Sequence, residues 1–134
     1  EIVAYDLALR PNLEQISRML KKAFKKFTNL SGLIFHSDQG WQYQHKYFRR
    51  TLKKHGIIQS MSRKGNCYDN SVMETFFGRL KTEIYYGFER EYSSFNAFAL
   101  AIEEYINYYN NRRIQKKTKW MPPVKFREAS MCLG

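Results

Sequence analysis

The sequence predicts an α/β fold with a largely parallel sheet. Three observations predict it. Short apolar runs alternate with longer stretches of helical period, in the order strand, helix, strand, helix, strand, helix, helix. The runs carry apolar residues at consecutive positions, as strands covered on both faces do. The 134 residues suffice for one domain with its own core, and 43% of them are hydrophobic. Right-handed crossovers between the parallel strands follow.

Residues 2–9, "IVAYDLAL", read as the first strand, apolar on both faces apart from Asp6. "RPN" marks a helix start. Leu13, Ile16, Leu20, Ala23, Phe24 and Phe27 then recur at helical spacing, with Arg18, Lys21, Lys22, Lys25 and Lys26 on the other face. "NLSG" breaks that helix. "LIFHSD", residues 33–38, reads as a short buried strand followed by a turn. A second basic helix is expected over residues 44–54, with Phe48 and Leu52 inward and Gly56 as its stop. Its outer face is Lys46, Arg49, Arg50, Lys53 and Lys54. "IIQSMS" reads as the third strand and "RKGNCYD" as a mobile polar loop. The third helix starts near Asn70 or Ser71 and is expected to bury Met73, Phe76, Phe77, Leu80 and Ile84. A fourth starts near Ser94, with Phe95, Phe98, Ile102, Tyr105, Ile106 and Tyr109 on one face. The end is basic, carries Pro122-Pro123 and reads as a tail of little regular structure. The expected organisation is a core over residues 1–113 and a basic C-terminal tail over 114–134.

A net charge of +11 favours a polyanionic partner. Nucleic acid suits it better than a membrane surface, because the cations are spread over several helices. No run of 18 apolar residues exists, so no transmembrane helix is expected. The opening "EIVAYDLALR" has no signal-peptide pattern. It also lacks Met and already reads as a strand, so the chain is expected to be a piece of something longer. Cys67 and Cys132 make no disulfide framework and have no partners at zinc-ligand spacing. Both read as reduced thiols of a cytosolic protein.

Two carboxylates stand out. Asp38 ends a strand, where α/β sheets bind ligands, and Gly40 is expected to permit a tight turn beside it. Asp38 is either a hard-oxygen ligand for magnesium or a strand stop that bonds its own turn. Glu74 lies in the first turn of the third helix, with Asn70, Gly78 and Lys81 on its face. It is either a second ligand open to a nucleic-acid backbone or the cap of a Ser71-Val72-Met73-Glu74 capping box. The 35 intervening residues allow a helix, a strand and a loop, which can bring the two carboxylates together. A carboxylate pair on a divalent metal, in a basic chain, suits phosphodiester chemistry.

"HSDQGWQY", "SMSRKGNCYDNSVMETFFGRLKTE" and "YINYYNNRR" together resemble the catalytic core of bacterial insertion-sequence transposases with a retroviral-integrase-like domain. The third stretch resembles that family's "YNxxR" segment, and the likeness runs along about residues 1 to 128. The resemblance implies a ribonuclease H-like fold. It implies an enzyme that cuts and joins double-stranded DNA through two aspartates and a glutamate holding two magnesium or manganese ions. Asp38 matches the second aspartate, and Glu74, at the family's spacing, matches the glutamate. Lys81 matches a lysine placed to contact phosphate. Lys64, Arg63, Asn70 and Arg79 join it as expected DNA-binding residues. Asp69 and Asn70 match the polar residues before the glutamate helix.

The departures are specific. The family's first aspartate lies on a strand preceding any read here, and Asp6 falls on a strand where the family has no catalytic aspartate. The expectation is an N-terminally truncated integrase core, inactive in cleavage and joining by itself. Its first strand is expected to pair with another copy or to move beside residues 33–37. "RRIQKK" also lacks the histidine usual after the "YNxxR" segment. The family's helix-turn-helix region for end recognition has no match. A homo-oligomer in the bacterial cytosol or nucleoid is implied. The alternative is a non-catalytic nucleic-acid-binding remnant of a transposase. A different ribonuclease H-like nuclease fits the "YINYYNNRR" stretch less well.

Overall fold

A computed structural model describes residues 1–133, with the side chain of Cys67 outside the described set. Two compact units are present: Val3–Thr75, and Phe76 onward together with Glu1–Ile2.

In the first unit, helix α1 spans Leu13–Lys26. Asn12 caps it, its side chain accepting from the Gln15 N–H at 2.7 Å. Strand β1 is Ile34–Ser37 and strand β2 is Ile58–Met61. They pair in parallel, with Ile34 opposite Ile58 and Ser37 opposite Met61. The stretch between them is helical in two pieces, α2 (Trp41–Gln44) and α3 (Lys46–Lys54). His45, extended at ψ 142°, divides them and caps α3. The expected helix over 44–54 therefore begins at Lys46. It ends as expected at Gly56, whose φ of +68° only glycine adopts cheaply.

Leu20, Phe48, Leu52 and Ile57 form the core of this unit. Phe48 is fully buried, with Phe35 and Tyr43 edge-on at 5.4 and 5.3 Å. Burying Phe48 and Leu52 contributes roughly 1.5–3 kcal/mol each. The 33–38 strand is not buried on both faces. Leu33 is 48% and Ile34 62% exposed, because the sheet described here has two strands and the core lies on one side of it.

Residues 2–9 form no strand. Among the described residues this segment makes no backbone hydrogen bond to residues 33–37, and the sheet holds β1 and β2 alone. Side chains take over its backbone partners instead. Lys22 donates to the Tyr5 carbonyl and Gln15 to that of Asp6. Asp6, its side chain 8% exposed, is bound by Arg18 at 2.8 Å and Lys22 at 3.4 Å. A nearly buried carboxylate needs such partners. Arg18 and Lys22, expected on an open basic face, thus point to an internal anion.

Helix α4 (Ser71–Leu80) starts in the first unit, and its part from Phe76 onward, in the second, continues into a π-helical turn, Lys81–Tyr85. Helix α5 (Phe95–Asn111) starts where expected, and Ser94 caps it. Phe76, Leu80, Ile102, Tyr105 and Ile106 are buried, and Phe76 meets Tyr109 edge-on at 5.0 Å. Met73 and Phe77, expected inside, are about half exposed at 48% and 49%, and Ile84 is half-buried. The tail is not irregular either. Helix α6 spans Pro123–Cys132 and packs on α5. Its proline sits in the first helical turn, where a missing N–H costs nothing, so Pro122-Pro123 starts a helix.

Candidate active-site carboxylates and their surroundings

Parallel strands bring their carboxyl ends to one edge. Here that edge holds Asp38, just past β1, and Ser62, just past β2. The Ser62 N–H donates to the Ser37 carbonyl at 2.8 Å, and Gln39 donates to the Ser62 carbonyl at 3.2 Å. Asp38 is exposed, and its Oδ1 accepts from the Gly40 N–H at 2.8 Å. It therefore bonds its own turn, while its other oxygen has no protein donor among the described residues.

Gly40 does not serve the purpose its type suggested. Its φ of −53° suits any residue. What it provides is space, since a Cβ there would lie 2.9 Å from both Asp38 Oδ1 and Gln42 Oε1. Tyr43 lies close by. Burial pushes its phenol up, and the Asp38 charge adds to that.

From Ser62 the chain reaches Glu74 through a closed loop. Arg63 holds Asp69 through its backbone N–H and through two guanidinium nitrogens, each at 2.9 Å. That grip, with a smaller contribution from His36, holds the Asp69 carboxyl far below the usual range. His36, on β1, bonds Ser60 on β2 across the sheet at 2.9 Å. Asp69 is thereby tied to the first residue after Ser62. Glu74 follows five residues on, roughly 8 Å at helical rise. The residue types of Arg63 and Asp69 were legible, but the three bonds that join them were not.

Glu74 is exposed and has no hydrogen-bond or ion-pair partner among the described residues. The capping box does not form. A 3₁₀ turn, Cys67–Asn70, runs directly into α4, so Ser71 is already helical and cannot act as a cap. Asp38 and Glu74 belong to the same unit. Among the described residues no hydrogen bond or ion pair joins them, and no three His, Cys, Asp or Glu side chains gather as a metal site.

The expected DNA-contacting residues divide. Lys64 and Lys81 are exposed and carry no ion pair among the described residues. Asn70 is half-buried. Arg63 is committed to Asp69, although its side chain stays 75% exposed. Arg79 donates to Gln115.

The "YINYYNNRR" stretch holds structure together in the second unit. Asn110 accepts from the Ile2 N–H at 2.7 Å and donates to the Ile2 carbonyl at 2.8 Å. Arg113 grips Glu83 through Nη2 at 2.6 Å and Nε at 3.2 Å, and Tyr105 donates to the same carboxylate at 2.9 Å. Burial pushes Glu83 up, but these two partners outweigh it and hold the carboxyl below its ordinary value. The spacing of Asn110 and Arg113 was visible, but their partners lie 108 and 30 residues away. Cys132 is a free, exposed thiol, while the thiol of Cys67 lies outside the described residues. No helix among the described residues is long and apolar enough to cross a membrane.

Comparison with known proteins agrees along the chain. A family described as integrase core domain matches residues 1–67, and a second of the same description matches residues 74–131. A transposase-like protein of Haemophilus influenzae is 53% identical over 131 residues, covering 98% of this chain and 59% of its own length. The putative transposase InsK for insertion sequence element IS150, from Escherichia coli, is 47% identical over 127 residues, which are 95% of this chain and 44% of that protein. The transposase for insertion sequence element IS904, from Lactococcus lactis, is 35% identical over 130 residues, 94% of this chain and 49% of its own. The chain thus spans about half the length of these curated relatives.

Proposed function

The chain belongs to the integrase core domain family, and from that premise we propose that it is catalytic-core sequence of a bacterial insertion-sequence transposase. Its substrate is double-stranded DNA at an element's ends. The reaction is hydrolysis at the 3′ end, followed by transfer of that hydroxyl to a target phosphate. The two-stranded parallel sheet and its helices are read as part of a ribonuclease H-like core.

One observation carries the reading. Asp38 stands at the carboxyl edge of the sheet, and the Arg63–Asp69 clasp ties the turn before the Glu74 helix to the residue that follows Ser62 at that edge. Both carboxylates are open to solvent. They are hard oxygen donors, and magnesium is commonly held by one or two carboxylates together with substrate phosphates. Asp38 and Glu74 would hold such an ion, or manganese, with DNA oxygens and further donors completing the shell. A bound divalent ion supplies activation of the attacking oxygen and charge relief at the leaving one. The protein's own part is positioning. The turn bond from Gly40 orients Asp38, and the clasp sets where α4 begins. Lys64 and Lys81 hold backbone phosphates, helped by Asn70, by the exposed part of Arg63, and by Arg79 near the end of α4.

A non-catalytic nucleic-acid-binding role is the second reading. It is favoured by the lack, among the described residues, of three gathered ligand side chains. A transposition assay in cells separates the two, using an element that encodes this sequence within its transposase. Asp38→Asn and Glu74→Gln should each lower transposition by more than about 100-fold at unchanged protein level, since even outer partners of metal ligands cost 10–100-fold. Wild-type frequency in either variant refutes the assignment.

A further inference from the structure

A groove of about 620 Å³ runs between α1 and α3, within the first unit and apart from the carboxylates. Its lining includes Lys21 and Lys25 from α1 and Arg50 and Lys54 from α3. All four are exposed, and none has a carboxylate partner among the described residues. Among the described residues no acidic side chain lines the groove. The charge on α1 is sorted by face: Arg18 and Lys22 turn to Asp6, whereas Lys21 and Lys25 turn toward α3 and stay unneutralised.

Spacing adds to sign. Each pair is an i,i+4 pair, which sets its two stems about 6 Å apart along the helix. The groove therefore has two short rows of cations, one on each wall. The floor is rigid. Leu20 is 2% exposed, and the Phe24 and His55 rings stack at 3.9 Å. Ser17 and Tyr47 link the walls through their hydroxyls at 3.0 Å. A single small anion would not match two rows of open cations, whereas a strand of phosphodiesters presents charge repeatedly along its length.

We propose that the α1–α3 groove is a separate DNA-backbone site, gripping phosphates through Lys21, Lys25, Arg50 and Lys54 without taking part in the chemistry. This deepens the reading of DNA as substrate by assigning a second contact surface to it. Binding there is blind to sequence, because the contacts available are to phosphate.

The test is the salt dependence of binding to a labelled duplex of arbitrary sequence, measured on the purified chain. Four phosphate contacts contribute about 3.6 to the slope of log K against log salt, at 0.9 per contact. The variant K21A/K25A/R50A/K54A should lose a slope of that size. The half variants K21A/K25A and R50A/K54A should each lose about half, and they give the answer if the fourfold variant does not fold. A control, K116A/K117A/K119A/K125A, removes the same charge elsewhere and should change the slope by less than one contact, roughly 0.9. An equal loss in the control, or an unchanged slope in the groove variants, overturns the proposal. So does an unchanged slope with lost self-association in sedimentation, which would assign the groove to an acidic face of a second copy. The slope is read with no divalent ion present, so a failure of the carboxylate assignment and a failure of the groove read out separately.

Discussion

Asn110→Ala removes a clamp that mimics a strand partner. In the wild type one side-chain amide both accepts from the Ile2 N–H, at 2.7 Å, and donates to the Ile2 carbonyl, at 2.8 Å. Asn110 is 8% exposed and Ile2 is half-buried, so water replaces these bonds poorly. Each such bond contributes roughly 0.5–1.5 kcal/mol net, which puts the pair at about 2 kcal/mol. With a urea slope of about 2 kcal/mol per molar, the unfolding midpoint should fall by about 1 M. Asn110→Asp should cost no less, because it loses the donor and brings a carboxylate to the Ile2 carbonyl. Circular dichroism at 222 nm follows the transition, and hydrogen exchange reads the Ile2 amide directly. The reasoning is refuted if that amide stays protected in Asn110→Ala, or if the midpoint moves by less than about 0.2 M.

Two further outcomes follow from the packing and the charges. Phe48→Ala should destabilise by about 3–5 kcal/mol in the same urea titration, because the ring is fully buried between Phe35 and Tyr43. Glu83 gives a pH signature. Its folded carboxyl titrates below the unfolded one, so its stabilisation is present above the unfolded value, near pH 4.3, and is lost as pH falls through the folded value. Glu83→Gln should flatten that part of the acid profile, and an unchanged profile would count against the Arg113 pairing.

Local patterning was legible in the sequence where a single element decides the outcome. The apolar spacing of α1 and α5, the helix start at Ser94 and the stop at Gly56 all depend on neighbours within a turn or two. Residues 2–9 were misread because their composition suits a strand, while Asp6 is answered by Arg18 and Lys22 on a helix. Periodicity could not tell which flank of α4 meets water, so Met73 and Phe77 were placed inside. The double proline suggests a tail of little regular structure, although proline in the first turn begins a helix. Asp38 and Glu74 stand out by type, interval and resemblance, and the proposed site rests on those three signals. The Arg63–Asp69 clasp and the grips of Asn110 and Arg113 were not legible, since each is a meeting of side chains that no spacing rule encodes.

The room left by Gly40 makes position 40 a control on its neighbour. Adding one methyl there would collide with Asp38 Oδ1 while leaving every charge and every backbone angle acceptable. The carboxylate would swing, since it is the movable party. Substitution at this position is therefore a way to turn Asp38 without deleting it. A graded series, alanine then serine then valine, would separate the direction in which that oxygen points from its mere presence.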